Sequence, residues 1–342
     1  MRALRLVSEQ HLDLADVADP PPPAEGEVTI RVLTVALNRL DLWGFRGMAF
    51  ARRQLPLTVG VEAVGEIVAR GVGVSALAIG QRVVMYGARI CGGCAACCAG
   101  RENLCENVAG IMGFHVDGFA CERVNMPARL VVSVPESVST THAACAAVTF
   151  STVEHMLFDN AELRRGETIL VHAGGSGIGT AAITLAKAAG SMVITTVGSD
   201  DKGAKARALG ADHVINYREQ RFEGVVRKLT SKRGVDVVFE HTGADTWNGS
   251  LLSLRRGGRL VTCGATSGPS AQINLMQLFQ QQYRIIGSFG ASIRNVGDGL
   301  QKMAIGIEPT IDSEASIEDF GACLERLRAR DAFGKLVVRI GS

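Results

Sequence analysis

Through the second half of the chain, short apolar runs at 169–171, 192–194, 214–215, 235–239, 260–263 and 285–286 alternate with stretches long enough to be helices. Runs of that length, apolar on both sides, belong to strands buried from both faces, and the intervening helices are what cover them. The pattern predicts an α/β fold with a doubly wound parallel sheet, in which ligands bind outside the carboxyl ends of the strands. Between the first two runs Ala182, Leu185, Ala186 and Ala189 recur at helical spacing, and Gly190 stops the helix where a left-handed cap is wanted.

The first strand runs into Gly174-Gly175-Ser176-Gly177-Ile178-Gly179, and the helix starts directly after. A glycine turn in that position lets backbone N–H groups approach a pyrophosphate, and the helix N-terminus adds roughly half a positive charge to hold it. The second glycine of the usual dinucleotide pattern is replaced by Ser176, so a plain turn is the competing reading; the strands that follow favour a dinucleotide. The second strand ends in Val197, where a NAD site would present an acid to the ribose hydroxyls. Ser199 and Lys202 beyond it offer donors to a 2′-phosphate, which favours NADP. Asp200 and Asp201 keep NAD possible, either as ribose readers or simply as first-turn residues of the next helix. Thr242 and Gly243 end the fourth strand and Gly264 follows the fifth, so both strand ends are expected to meet the nicotinamide ribose. His241 is either a proton donor there or a structural histidine.

Residues 1 to about 150 read instead as strands and turns, with runs at 28–35, 60–68 and 82–85 and a stiff loop at Pro20-Pro21-Pro22-Pro23. A last helix, with Ser316 as N-cap and Ile317, Phe320, Leu324 and Leu327 on one side, leads to a strand at 335–340 that is expected to rejoin this half. The organisation expected is therefore a β domain of 1–153 with 291–342 returning to it, and a dinucleotide domain of 154–290; 342 residues suit two domains. Within the β domain Cys91, Cys94, Cys97 and Cys105 follow C-x2-C-x2-C-x7-C. Four thiolates at that spacing close a tetrahedron around one zinc and leave no position open for substrate, which makes the site structural. A disulfide cluster is the alternative, but the start of the chain does not read as a secretory leader, and a reducing cytoplasm is expected. With 36 basic and 34 acidic residues, neither nucleic acid nor a membrane surface is an expected partner.

Together with 36–41 (Ala-Leu-Asn-Arg-Leu-Asp), 60–66 (Gly-Val-Glu-Ala-Val-Gly-Glu), 117–120 (Asp-Gly-Phe-Ala), 210–212 (Gly-Ala-Asp) and Gly334-Lys335, these features resemble the medium-chain dehydrogenase/reductase superfamily over nearly the whole chain. The resemblance implies a GroES-like domain, a Rossmann domain, a cleft between them for nicotinamide and substrate, and a homodimer or homotetramer. Where the zinc alcohol dehydrogenases of that superfamily place catalytic zinc ligands, this chain has Asn38, Val61 and, less securely aligned, Val148, with Cys145 and His155 nearby in sequence. Valine has no lone pair for a metal and an amide is a feeble zinc ligand. The hydroxyl residue of the proton relay is Leu40. The quinone-reductase-like branch carries Asn at the position of Asn38, and by that likeness Ser199, Lys202 and Tyr217 touch the 2′-phosphate and adenosine. Asn38 is then a candidate oxyanion donor. Asp41 and Glu62 are candidate cleft carboxylates, although at a strand end a structural hydrogen bond is the commoner role for such a residue. Trp43, Phe45 and Phe289 are candidates for an apolar pocket or the core, with Phe289 also counted beside the cofactor. The function expected is an NADPH-dependent reductase of a small-molecule electrophile, a quinone or an α,β-unsaturated carbonyl compound. The alternatives are an alcohol or aldehyde dehydrogenase of the same fold and a protein that binds NADPH without turnover.

Overall fold

The computed structural model describes residues 1–47 and 53–341. The chain divides into two compact units, Met1–Ser151 with Ala291–Ser342, and Thr152–Gly290.

In the second unit six parallel strands lie in the order His213–Asn216, Met192–Val197, Thr168–Val171, Val235–Glu240, Leu254–Thr262, Arg284–Gly287. The order reverses between Thr168–Val171 and Val235–Glu240, which pair at Ile169↔Val237, and this is the switch point where such sheets bind ligands. Every residue of those two strands is buried, Thr168, Asp236 and Glu240 included, as expected of strands covered on both faces. Leu170, Ile194, Ile215, Val226, Val238, Leu251 and Leu260 share one core cluster. The strand Leu254–Thr262 begins well before the run at 260–263, because its first half, with Arg255, Arg256 and two glycines, is an irregular, register-shifted segment rather than an apolar one.

The helix Gly177–Ala188 starts at Ser176, whose Oγ accepts the N–H of Gly179 at 2.9 Å, and ends at Gly190 with φ 81°. A side chain at Gly179 would put its Cβ 2.2 Å from the Ala173 carbonyl oxygen, so only glycine allows helix and strand to meet here.

In the first unit the strand Glu27–Ala36 is the hub of a seven-stranded sheet, pairing with Ala63–Arg70, Arg123–Pro127 and Lys335–Arg339. The run at 60–68 becomes a strand only from Ala63, since Gly60 at φ 94° turns the chain and Glu62 points into the interior. The strand Lys335–Arg339 lies antiparallel to the hub with Val337 opposite Ala36, which brings Lys335 beside Leu37 and Asn38. Ahead of it the helix begins at Phe320 after a tight turn, Ile317–Asp319; Ser316 bonds the Asp319 side chain at 2.9 Å and does not cap the helix, contrary to the expectation from sequence. From Ala146 to Phe150 the helical backbone widens into a π-turn, with Phe150 N–H bonding the Cys145 carbonyl. No helix among the described residues is long and apolar enough to cross a membrane.

Candidate functional site

Three segments far apart in sequence meet around one carboxylate in the first unit. Glu62 is fully buried, and its Oε1 accepts the consecutive N–H groups of Val148 and Thr149 at 2.6 and 2.7 Å, which the widened helical turn presents. Its Oε2 accepts the Asn38 amide at 2.9 Å, the Thr149 hydroxyl at 2.9 Å and the Lys335 ammonium at 3.1 Å. Lys335, 3% exposed, also lies within donor reach of Leu37 O at 2.6 Å, Asn38 Oδ1 at 2.9 Å and Thr149 Oγ1 at 2.7 Å, so its three protons are shared among four oxygens including Glu62. A buried carboxylate and a buried ammonium compensate each other, and the surrounding oxygens satisfy the protons that remain.

Asn38 is fully engaged in this cluster. Its amide nitrogen donates to Glu62 and to Ala36 O at 3.1 Å, so both hydrogens are taken, and its oxygen accepts from Lys335, with the Thr149 hydroxyl oxygen 3.0 Å away. This corrects the expectation of an oxyanion donor: in the observed arrangement Asn38 has no N–H left for a substrate. Asp41, in the first turn of the helix Arg39–Arg46, accepts the Asn38 backbone N–H at 2.7 Å through Oδ2, while its buried Oδ1 makes no well-formed hydrogen bond among the described residues, although the Val61 N–H is near enough to act on the carboxyl. Burial pushes its carboxyl up to about 7 against the pull of the Asn38 N–H and of Lys335. Trp43 and Phe45 lie half-buried on the same helix.

The residues at the catalytic zinc position do not fit a metal. Val61 is wholly buried and without a donor, the Asn38 oxygen already faces an ammonium, and the Cys145 thiol, pushed upward by burial, lies within hydrogen-bond reach of the Thr141 carbonyl at 3.8 Å. His155 belongs to the second unit, where Nδ1 lies 3.0 Å from Asp159. A second cation beside Lys335 would meet direct repulsion.

The cysteine lobe does fit one. The sulfurs of Cys91, Cys94, Cys97 and Cys105 all lie within 4.8 Å of one another, close to the ~3.8 Å edge of a tetrahedron with zinc–sulfur bonds of about 2.3 Å. All nine cysteines are free thiols. Backbone N–H groups of Gly93 and Cys94 lower the Cys91 thiol to about 6, favouring the thiolate that binds metal.

In the second unit the glycine turn sits at the carboxyl end of Thr168–Val171, and Gly174 N–H bonds Thr196 O at 2.9 Å. Gly174, Ser176, Gly177, Ile178 and Gly179 thus line the N-terminus of one helix at the switch point. Val197 is buried at the end of its strand, and Ser199 caps the next helix by accepting Lys202 N–H at 3.4 Å. Asp200 accepts from Asn216 at 3.1 Å and Asp201 pairs with Lys205 at 3.0 Å, so both acids have structural partners in the first turn. Tyr217 is 44% exposed and its hydroxyl lies over Gly198, 2.7 Å from where a Cβ there would stand. Phe289 is 64% exposed, and the backbone of Gly264 passes so close to His241 that a Cβ would stand 2.7 Å from its carbonyl oxygen. His241 Nε2 lies 2.8 Å from His172 O, a structural contact for its ring.

Sequence reasoning missed Thr149 as a member of the first cluster and took Lys335 only as part of the family resemblance, although a lysine opening an apolar strand was the available signal. It also missed Glu240, His172 and Ser250, which lie fully buried beneath the cofactor strands.

Residues 24–136 match the family described as "Alcohol dehydrogenase GroES-like domain", and residues 177–304 the family described as "Zinc-binding dehydrogenase". Over 332 residues the chain is 31% identical to an acryloyl-coenzyme A reductase of Metallosphaera sedula, covering 96% of this chain and 97% of that protein. It is 32% identical over 262 residues to a quinone oxidoreductase of Salmonella typhimurium, covering 77% of this chain and 72% of that protein. Among solved structures, an NAD-dependent alcohol dehydrogenase is similar with a TM-score of 0.94 and 35% identity over 100% of both chains.

Proposed function

This chain belongs to the medium-chain dehydrogenase/reductase superfamily and is an NAD(P)-dependent oxidoreductase, and from that premise we propose that it reduces a quinone or an α,β-unsaturated carbonyl compound with NADPH and without a catalytic zinc. The observation that carries the reading is the Lys335 ammonium held on Asn38 Oδ1, Glu62 and Thr149, beside the residue that the family resemblance aligns with a catalytic zinc ligand. Oxidation of a simple alcohol needs its hydroxyl pKa lowered by several units, which a bound metal does and a hydrogen-bonded lysine does not. Reduction of an activated double bond asks for less, because the substrate carbonyl itself takes up the charge. When bound, the dihydronicotinamide supplies the hydride. Lys335 contributes a fixed positive charge to the site, Asn38 and Glu62 hold that charge in place, and Asp41, which keeps a proton near neutral pH, is the proton source for the resulting enolate. The acryloyl-coenzyme A reductase and the quinone oxidoreductase to which the chain is similar act on substrates of these two kinds.

The preference for NADPH rests on Val197 at the strand end and on Ser199, Lys202 and Tyr217 around it. One structural zinc per chain is assigned to the four cysteines. A homo-oligomer is supported by the helix Leu275–Gln281, whose Leu275, Met276 and Phe279 are all more than half exposed, beside the edge strand Arg284–Gly287. A second reading, an alcohol dehydrogenase, is favoured by the 35% identity to a solved enzyme of that kind.

The deciding experiment sets NADPH with enones, acrylic thioesters and quinones against NAD and NADP with primary and secondary alcohols. Turnover of the first group with little alcohol oxidation is expected. Robust alcohol oxidation without alkene or quinone reduction would overturn the proposal, and tight cofactor binding with no turnover would leave a binding protein.

A further inference from the structure

Beneath the switch point of the second unit, the ends of its two central strands are joined by an unbroken row of hydrogen bonds whose proton order can be deduced. Glu240 closes Val235–Glu240 and is fully buried. Its Oε1 accepts Thr242 N–H at 2.6 Å and Gly243 N–H at 3.1 Å, and its Oε2 accepts the hydroxyls of Thr246 at 2.8 Å and Ser250 at 2.9 Å. Ser250 has one proton and gives it to Glu240, so at its other contact, His172 Nε2 at 2.9 Å, the serine oxygen accepts. Nε2 therefore carries hydrogen. Burial lowers the pKa of His172, against the pull of Glu240 3.7 Å away, and the ring is neutral, packed edge-on against Phe222 at 4.8 Å. A neutral ring protonated at Nε2 accepts at Nδ1, and the donor there is the Thr196 hydroxyl at 3.2 Å. Thr196 Oγ1 in turn accepts the N–H of Ala173, which opens the glycine turn at φ 48°. Every proton in the row points from the glycine turn toward the carboxylate.

We propose that Glu240 is a positioning residue that, through Ser250, His172 and Thr196, ties the glycine turn and the Thr242–Gly243 loop to one buried frame and so couples the adenosine and nicotinamide halves of the cofactor site. The proposal rests on reading this unit as the NADPH site. A carboxylate is the only side chain of this size that accepts from all four donors. In Glu240→Gln the NH2 group must face either two backbone N–H groups or two hydroxyls, and the row loses its terminus. Ser250→Ala cuts the row while leaving three of the four bonds to Glu240 intact.

The test is the affinity of the wild type, Glu240→Gln, Ser250→Ala and the double variant for NADPH and for an adenosine-half probe, 2′,5′-ADP or 5′-AMP according to the cofactor preferred. Although Glu240 stands at the nicotinamide strand end, Glu240→Gln is expected to weaken the adenosine-half probe about tenfold, the scale of one lost hydrogen bond to a charged group. Ser250→Ala should weaken it severalfold, and the double variant should be no worse than Glu240→Gln, because both changes cut the same row. Glu240→Gln weakening NADPH alone, or the two changes adding fully, would overturn the coupling. As a readout that mere loss of stability does not move, 15N resonances of the histidines in the wild type should show His172 neutral with its proton on Nε2 at about pH 7 to 8. A cationic ring, or a proton on Nδ1, would overturn the assigned order. If the wild type binds neither NADPH, NADH nor either probe, the cofactor reading itself fails, an outcome distinct from probe binding that ignores Glu240.

Discussion

Glu62 in the first unit and Glu240 in the second are both fully buried, and each takes two consecutive backbone N–H groups on one oxygen and side chains on the other. They differ in how the charge is met. Glu62 faces the ammonium of Lys335, whereas Glu240 faces only dipoles: two N–H groups, two hydroxyls and, behind one of them, a neutral imidazole. Meeting a charge with a charge concentrates the compensation in one side chain, and meeting it with dipoles spreads it over several, so that losing any one of them exposes less.

The largest effect is expected from breaking the first arrangement. Lys335→Met leaves a buried carboxylate without its counter-charge and should lower stability by about 3–5 kcal/mol in denaturant titration, with Lys335→Met/Glu62→Gln recovering most of the loss. If the two glutamates were held alike, the loss would be no larger than that of His172→Gln, which removes no charge. The cysteine lobe extends the comparison to four thiolates that only a metal can compensate. Chelation or Cys94→Ser should remove one zinc per chain and about 3 kcal/mol, the scale of a cross-link closing a loop of ~15 residues, while turnover per folded molecule changes little. Two zinc ions per chain by metal analysis would show that a metal binds outside the cysteine lobe as well, with the Asn38–Glu62 cluster the first place to look.

Asp41 is the smallest case: a buried carboxyl with one donor on Oδ2 and no hydrogen bond on Oδ1 among the described residues. Its pKa is raised from 3.8 to about 7 on folding, mainly by burial. The native state therefore holds a proton that the unfolded chain has released, so stability is full below about pH 4, falls as pH rises through about 7, and is flat beyond. Asp41→Asn should abolish that slope and be more stable than the wild type by up to about 4 kcal/mol at pH 8. Parallel pH profiles for the two proteins would mean that Asp41 finds a donor in solution.

The second unit was the more legible from sequence because strands buried on both faces write themselves as apolar runs, and the glycine turn sits between a strand and a helix where its meaning is fixed. The four-cysteine lobe was legible for a similar reason, since its ligands are close in sequence. The two carboxylate clusters were not. Residue type showed that Asn38 can donate, but not that Ala36 O and Glu62 already take both of its hydrogens. Glu62 was named as either a catalytic or a structural carboxylate, and nothing near it in sequence pointed to Lys335, 273 positions away. His172 and Ser250, 78 positions apart, carry no spacing signal at all.

That separation also orders events in time. Asn38 and Glu62 leave the ribosome long before Lys335, and at about 5–20 residues per second the interval is roughly a quarter of a minute to a minute. Throughout it the first unit lacks both the strand Lys335–Arg339 and the cation that its buried carboxylate requires. The second unit, continuous in sequence, can finish folding within that interval, so the β unit that begins first is the one completed last.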